Sequence, residues 1–319
     1  MNISPVDRGR TGVLDGFLGE HRRELWAFCY QMLGSPFDAE DAVQDVLERV
    51  WRARGDFDAE VGSVTGWVFR IARNVCVDRL RNASRRTLPR DLSDPGFEVG
   101  APLIPRFDTP WLQPAPSSWL GEDGTADAVV RGSDVRLALT ALLQALPAQQ
   151  RAVFILREVL GYSSADAAAA LDTSVPAINS ALQRARARLS QTRPDGCPEQ
   201  RSIEAALVEQ YARALEAGDA AALERLVTTD VVFEMPPVLQ WLRGQVPYRA
   251  FMEDLFRRRG PRRQTRLISA NHQPGLLLYH VTDDGVQPNT LHVLTGGAAG
   301  LLSHLLVYRD PKLFALFEQ

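Results

Sequence analysis

Prolines divide this chain. Pro89, Pro95, Pro102, Pro105, Pro110, Pro114 and Pro116 stand among Gly, Ser and Asp between residues 87 and 130. Proline lacks a backbone N–H, so no helix can run through this stretch, and its other residues show no strand alternation. Residues 87–132 therefore form a linker, although Trp111, Leu112, Trp119 and Leu120 predict that part of it docks on a surface. A second, shorter break runs from Gln191 to Pro198. Three folded segments follow: 14–86, 133–190 and 202–319. That agrees with a length of 319 residues, too long for one ordinary core.

Net charge is −3, so a nucleic-acid partner has to be met by local charge and not by the whole chain. Cys29, Cys76 and Cys197 are odd in number and far apart in sequence. With no C-x-x-C or Cys/His cluster, they predict neither a disulfide framework nor a zinc site, and no metal is expected. The first residues, MNISPVDRGR, lack the apolar run of a signal peptide, and no stretch has the roughly 18 apolar residues that span a bilayer. The expectation is a cytoplasmic protein with no membrane partner.

In the first segment, Asp38 to Trp51 begins with acids, where a helix dipole favours them. Ala39, Val43, Val46, Leu47 and Val50 follow three-and-four spacing and face a core. Asp41, Gln44, Asp45 and Glu48 line the opposite side, a mostly acidic stripe equally suited to an ordinary solvated face. The helix from Thr65 onward has an apolar face of Val68, Ile71, Ala72, Val75 and Leu80. Its outer face carries Arg70, Arg73, Arg79, Arg81, Arg85 and Arg86 against one acid, Asp78, with Trp67 and Phe69 at its entrance. Basic side chains track phosphates, and an aromatic ring is a stacking platform for an unpaired base. An arginine-rich surface helix with its aromatics in the core fits the same residues.

Residues 133–160 form a long amphipathic stretch broken at Pro147. Ser163-Ser-Ala-Asp166 reads as a capping box that opens a short helix, and Asp172-Thr-Ser174 supplies a turn and a new N-cap. Pro176 sits in the first turn of the next helix, which packs through Ile178, Leu182, Ala185 and Leu189. Its other face shows Ser180, Gln183, Arg184 and Ala187, flanked by Asn179, Arg186 and Arg188. Short helix, tight turn and arginine-ended long helix make a helix-turn-helix, whose second helix enters the major groove; a plain helical hairpin is the alternative. Asn and Gln suit adenine edges, Arg suits guanine, and the trailing arginines suit phosphates.

Together and in this order, the two segments resemble the helical domains of extracytoplasmic-function (ECF) sigma factors. Phe37-Asp-Ala-Glu-Asp-Ala-Val-Gln-Asp45 resembles that family's polymerase-binding helix. Trp67-Val-Phe-Arg-Ile-Ala-Arg-Asn-Val-Cys-Val-Asp-Arg-Leu80 resembles its promoter-opening and −10 helix. Leu146 to Arg157 and Thr173 to Arg186 resemble its −35-binding domain. The last segment, after two helices, shows strand character at Asp230–Glu234, Gln264–Ser269, Gly275–Val281 and Thr290–Leu294. It resembles the SnoaL-like, nuclear-transport-factor-like cone carried by a subgroup of that family, through Asp230-Val-Val-Phe-Glu-Met-Pro-Pro237 and Trp241-Leu-Arg-Gly244.

The resemblance implies a multidomain protein: two all-α domains, the second a helix-turn-helix, followed by an α+β cone. It implies a sigma factor that binds core RNA polymerase and promoter DNA, with the cone regulating activity. Asp38, Glu40, Asp41, Gln44, Asp45 and Glu48 become the polymerase-binding set. Trp67, Arg70, Arg73, Asn74, Arg79, Arg81, Arg85, Asn179, Ser180, Gln183, Arg184 and Arg186 become the DNA-binding set. Inside the cone, His280 and His292 are the pocket candidates for a small-molecule ligand, and no cofactor or catalytic residue is expected. The alternative is an enzyme or small-molecule-binding protein of SnoaL-like type on a repurposed sigma scaffold.

Overall fold

A computed structural model of the chain describes residues 5–57, 63–81, 84–96, 100–120, 137–192, 203–260 and 262–318. The chain forms two compact units: Met1–Arg86 with Ser117–Pro194, and Thr87–Pro116 with Asp195–Gln319.

The first unit is helical. Helix α1 (Pro5–Leu33) is followed by α2 (Pro36–Arg52), which starts where Ser35 Oγ accepts the Asp38 N–H at 3.4 Å and Pro36 occupies the first turn. Helix α3 (Val64–Arg81) completes a bundle. Its core is Leu25, Phe28, Cys29 and Met32 against Ala39, Val43, Val46 and Val50, closed by Val68, Phe69, Ala72, Val75 and Cys76. Cys29 and Cys76, distant in sequence, meet here as free buried thiols. The hydrogen bond that the Cys29 thiol gives to Cys76, with burial behind it, pushes the Cys29 thiol up, which keeps it unreactive.

Helices α4 (Leu137–Leu143) and α5 (Ala148–Phe154) follow, α5 running on into a π-turn at Ile155–Val159. Helix α6 (Ser164–Ala170) opens with the expected box: Ser163 Oγ accepts the Asp166 N–H at 3.1 Å, and Asp166 accepts the Ser163 N–H at 3.3 Å. Asp172, at φ 52°, makes the left-handed turn, and Ser174 Oγ accepts the Ala177 N–H at 3.3 Å to start α7 (Val175–Thr192).

These helices do not stand apart from α1–α3. Tyr162 donates to Glu24 at 2.6 Å, Thr140 donates to Gln31 at 3.1 Å, and Phe69 meets Tyr162 edge-on at 5.4 Å. The buried Arg151 guanidinium bonds to the Met32 and Leu146 carbonyls and to Gln144. Burial lowers its pKa to about 10. The helical unit is therefore closed upon itself.

The second unit is mixed. Helix α8 (Ala205–Ala217) ends at Gly218, which takes φ 68°, and Asp219 caps α9 (Ala220–Arg225) through the Ala222 N–H at 2.8 Å. The strands are β1 (Val227–Glu234), β2 (Trp241–Arg243), β3 (Arg263–Ala270), β4 (Gln273–Thr282), β5 (Gly285–Gly296) and β6 (Leu302–Tyr308). They form one sheet of order β2-β1-β6-β5-β4-β3, antiparallel except for the β1–β6 pair. Helix α10 (Gln245–Arg259) joins α8 and α9 on one face, over Val231, Phe233, Leu276, Leu278, Leu294 and Leu305. Helix α11 (Pro311–Leu316), capped by Asp310, lays Phe314 against Tyr279 at 5.1 Å. Gly275 holds no side chain because a Cβ there would lie 2.3 Å from the His292 carbonyl oxygen.

The proline-rich segment is no bare spacer up to residue 116. Gly96 N–H donates to the Trp241 carbonyl at 3.0 Å, and the Trp241 indole donates to the Ser93 carbonyl at 2.9 Å. Arg106 N–H reaches the Pro237 carbonyl at 2.7 Å, and Ala115 and Asn271 exchange bonds of 2.9 and 3.0 Å. Trp111 and Leu112 are buried, as their docking requires. Trp119 instead meets Trp26 edge-on at 5.2 Å in the helical unit, and residues 121–136 lie outside the described residues.

Candidate nucleic-acid interface and cone interior

Of the six residues expected to bind polymerase, α2 leaves Asp41, Gln44 and Glu48 exposed. Glu48 bonds within its own helix, to Arg52. The other three are half-buried and paired with arginines. Asp45 takes the Arg79 guanidinium at 2.6 Å, Asp38 pairs with Arg86, and Glu40 lies 3.8 Å from Arg22. Within the expected stripe of Asp41, Gln44, Asp45 and Glu48, Asp45 is thus drawn to Arg79 of α3, while Asp38 and Glu40 beside it meet Arg86, past the end of α3, and Arg22 of α1. Arg79, expected to contact DNA, is paired with Asp45 here: burial works against its charge, but Asp45 holds the guanidinium above its ordinary value. Arg79 thus ties α3 to α2.

On α3, Arg70 and Arg73 are half-buried, Asn74 and Arg81 are exposed, and Arg85 follows just past the helix in the open. Arg73 bonds to Asn74 at 2.9 Å, and Arg81 leans on Asp78 at 3.5 Å. Trp67 is half-buried, its ring tilted against Phe57 at 5.3 Å, so one part of it remains accessible. Phe69 does not stand at the entrance with it. It is fully buried between Phe28 and Tyr162, so the aromatic platform reduces to Trp67.

On α7, Asn179, Ser180, Gln183, Arg184 and Arg186 all lie on the exposed side, while Ile178, Ala181, Leu182 and Ala185 are buried. Asn179 accepts from Ser164 at 3.0 Å, and Arg186 pairs with Glu158 at 2.8 Å. Ser180, Gln183 and Arg184 carry no partner among the described residues. Three polar side chains with different donor and acceptor patterns thus stand free on one face of the second helix of a helix-turn-helix. That arrangement suits base-edge contact in a major groove.

The cone interior differs from the expectation. His292 is buried, its Nδ1 3.1 Å from the Tyr211 hydroxyl and its Nε2 3.0 Å from that of Thr290. Burial lowers its pKa to about 3, so the ring is neutral, with both nitrogens occupied by neutral partners and no carboxylate beside it. His280, near the end of β4, is half-buried and pairs in register with Arg263. The two histidines share the helix-facing side of the sheet without meeting at one point.

A charged cluster lies on the opposite face. Glu234 is fully buried, accepts from His304 at 2.8 Å and from the Arg90 N–H at 2.9 Å, and sits 3.5 Å from the Arg90 guanidinium. Burial opposes the Glu234 charge, but the bond to His304 and the Arg90 guanidinium hold its pKa below the usual carboxylate value. Burial also lowers that of His304. Sequence reading did not bring Glu234, His304 and Arg90 together, because no spacing rule connects a proline-rich segment to strands far along the chain. Among the described residues no group of three or more His, Cys, Asp or Glu could hold a metal ion, and no helix is long and apolar enough to cross a membrane.

Family comparisons match sigma-70 region 2 over residues 17–86, sigma-70 region 4 over 136–189, and a SnoaL-like domain over 208–300. The chain is 39% identical to the ECF RNA polymerase sigma factor SigG of Mycobacterium tuberculosis, over 98% of this chain and 85% of that one. It is 25% identical to SigJ of the same species, over 75% of this chain and 72% of that one. The crystal structure of the M. tuberculosis SigJ superposes with a TM-score of 0.59 at 21% identity, covering 93% of this chain and 96% of that chain, which establishes a shared fold.

Proposed function

The chain belongs to the ECF RNA polymerase sigma factors, and from that premise we propose how its surfaces divide the work of promoter-directed initiation. Asp41, Gln44 and Glu48 on α2 contact core polymerase, with Asp38, Glu40 and Asp45 as the charged margin. Trp67, Arg70, Arg73, Asn74, Arg81 and Arg85 serve the −10 region: the arginines hold phosphate and Trp67 stacks on an unpaired base. Ser180, Gln183 and Arg184 read −35 base edges, while Asn179 and Arg186 position the helix. The protein acts in the cytoplasm, where polymerase and promoter are.

The observation that carries this reading is the unpartnered Ser180, Gln183 and Arg184 face on a helix whose entry is fixed by the Asp172 turn and the Ser174 cap. The closed helical unit supports a second element. Contacts such as Tyr162–Glu24 hold the region 4 helices on those of region 2, so closure is a resting arrangement that polymerase must compete with. The cone and the segment strapped to it bias that competition. Runoff transcription with core polymerase and a target promoter tests the division of labour. Arg184→Ala should lose activity on that promoter and regain it on a promoter with an altered −35 base. Equal loss on every −35 sequence would refute base reading by Arg184.

A further inference from the structure

Arg263 opens β3 on the helix-facing side of the sheet, opposite His280 in register. It is only 9% exposed, and among the described residues neither Nη1 nor Nη2 has a hydrogen-bond partner. The guanidinium carbon sits 4.4 Å above the Phe256 ring near the end of α10. Its Nη1 lies against Gly218 at the end of α8, 3.3 Å from where a Cβ would stand. These neighbours supply a π face and the negative end of a helix, and both attract a cation. Neither gives the four Nη hydrogens an acceptor. Glu216, in the last turn of α8, spends its Oε1 on the Thr265 N–H and hydroxyl at 2.8 and 2.7 Å.

Buried guanidinium groups are normally paired, because an unpaired charge loses its hydration without compensation. Desolvation accordingly lowers the Arg263 pKa. Arginine presents its donors as a planar fork, which matches a carboxylate through two parallel bonds. The ring of Phe256 is half-buried and covers that fork from one side only.

We propose that Arg263 anchors a binding site for a small, flat carboxylate between the C-terminal ends of α8 and α10, with Phe256 as the ring that moves aside to admit it. This rests on, and deepens, the reading of the cone as the regulatory part of a sigma factor. The ligand's carboxylate neutralises the fork in its plane, and its flat body lies beside the displaced Phe256 ring. His280 lies opposite Arg263 in register, and Thr265 lies two residues along β3 on the same sheet face.

Calorimetric melting of the full-length chain with benzoate tests the site. Benzyl alcohol serves as the neutral control, and phosphate and chloride at matched ionic strength as the anion controls. Benzoate should raise the cone's melting transition saturably, with the controls giving no saturable shift. Arg263→Met should melt above the unmodified chain without benzoate, since it removes an unpaired buried charge, and should lose the benzoate shift; Arg263→Gln should also lose it. If Arg263→Met melts lower, the arginine is a structural prop and the proposal fails. It fails equally if benzoate acts no differently from chloride, or if its shift survives in Arg263→Gln. A phosphate shift as large as that of benzoate overturns the carboxylate assignment. Binding to core polymerase, measured on the same variants, separates failure of this site from failure of the sigma-factor reading.

Discussion

Tyr162→Phe is the most economical way to loosen the closed helical unit. The ring stays edge-on to Phe69 at 5.4 Å, so packing is preserved, and only the 2.6 Å bond to Glu24 is lost. A hydrogen bond to a charged group contributes about 1.5–3 kcal/mol when dry. The Glu24 side chain is 42% exposed, so water takes over part of that role and the net loss falls to about 1 kcal/mol. Burial raises the Tyr162 pKa above its ordinary value, the bond to Glu24 adding to it, so the hydroxyl remains a donor across the working pH range. A change of about 1 kcal/mol moves a closed–open equilibrium roughly fivefold, and the apparent affinity for core polymerase follows the open fraction. Equilibrium titration of labelled chain with core polymerase should therefore show binding up to about fivefold tighter in Tyr162→Phe. Thr140→Val, which removes the bond to Gln31, should act in the same sense. Unchanged or weaker polymerase binding in both variants would refute closure as a resting state.

Charge reversal at Asp41 and Glu48 should weaken holoenzyme formation in a pull-down titration while leaving the melting profile intact, because both side chains are exposed. Gln183→Ala should cost about 1–3 kcal/mol at particular −35 bases in competition binding. Arg81→Ala and Arg85→Ala should instead weaken binding on all sequences and flatten its salt dependence. Acid should destabilise the cone. The His292 pKa of about 3 lies below that of the unfolded ring, so its contribution is complete above pH 6.5 and is lost as pH falls. By pH 5 the loss is about 2 kcal/mol, and the lowered values at Glu234 and His304 act in the same direction. A cone transition at the same temperature at pH 7 and pH 5 would contradict this.

Legibility in the sequence followed burial. Amphipathic helices exposed on one face announced themselves, as did the Ser163–Asp166 box and the Asp172 turn. Strands β3 and β4 were found by their residue types. Strand β6, Leu302 to Tyr308, is buried along its whole length on both faces and has no alternation to read. Short β2 and helix α10 escaped for the related reason that tertiary packing, not periodicity, holds them. The charge pattern of α2 and α3 was visible, but its pairing was not. Asp45–Arg79 joins two helices through a crossing that no spacing encodes.

The strap has a consequence for reach. Thr87 N–H donates to the Pro110 carbonyl at 3.2 Å, and Leu112 N–H donates back to the Thr87 carbonyl at 3.0 Å. Everything between is a closed loop, so along the route from region 2 to region 4 it adds almost no span. Released, those residues would extend to about 80 Å at roughly 3.4 Å each. Fastening the loop therefore shortens the leash between the two DNA-binding parts and raises the effective concentration of each near the other. A cut after Leu189 removes the sheet, and with it the Pro237 and Asn271 partners of Arg106 and Ala115 that help to fasten the loop. Such a truncation lengthens the leash as well as deleting the cone, and a clean dissection must shorten the loop at the same time.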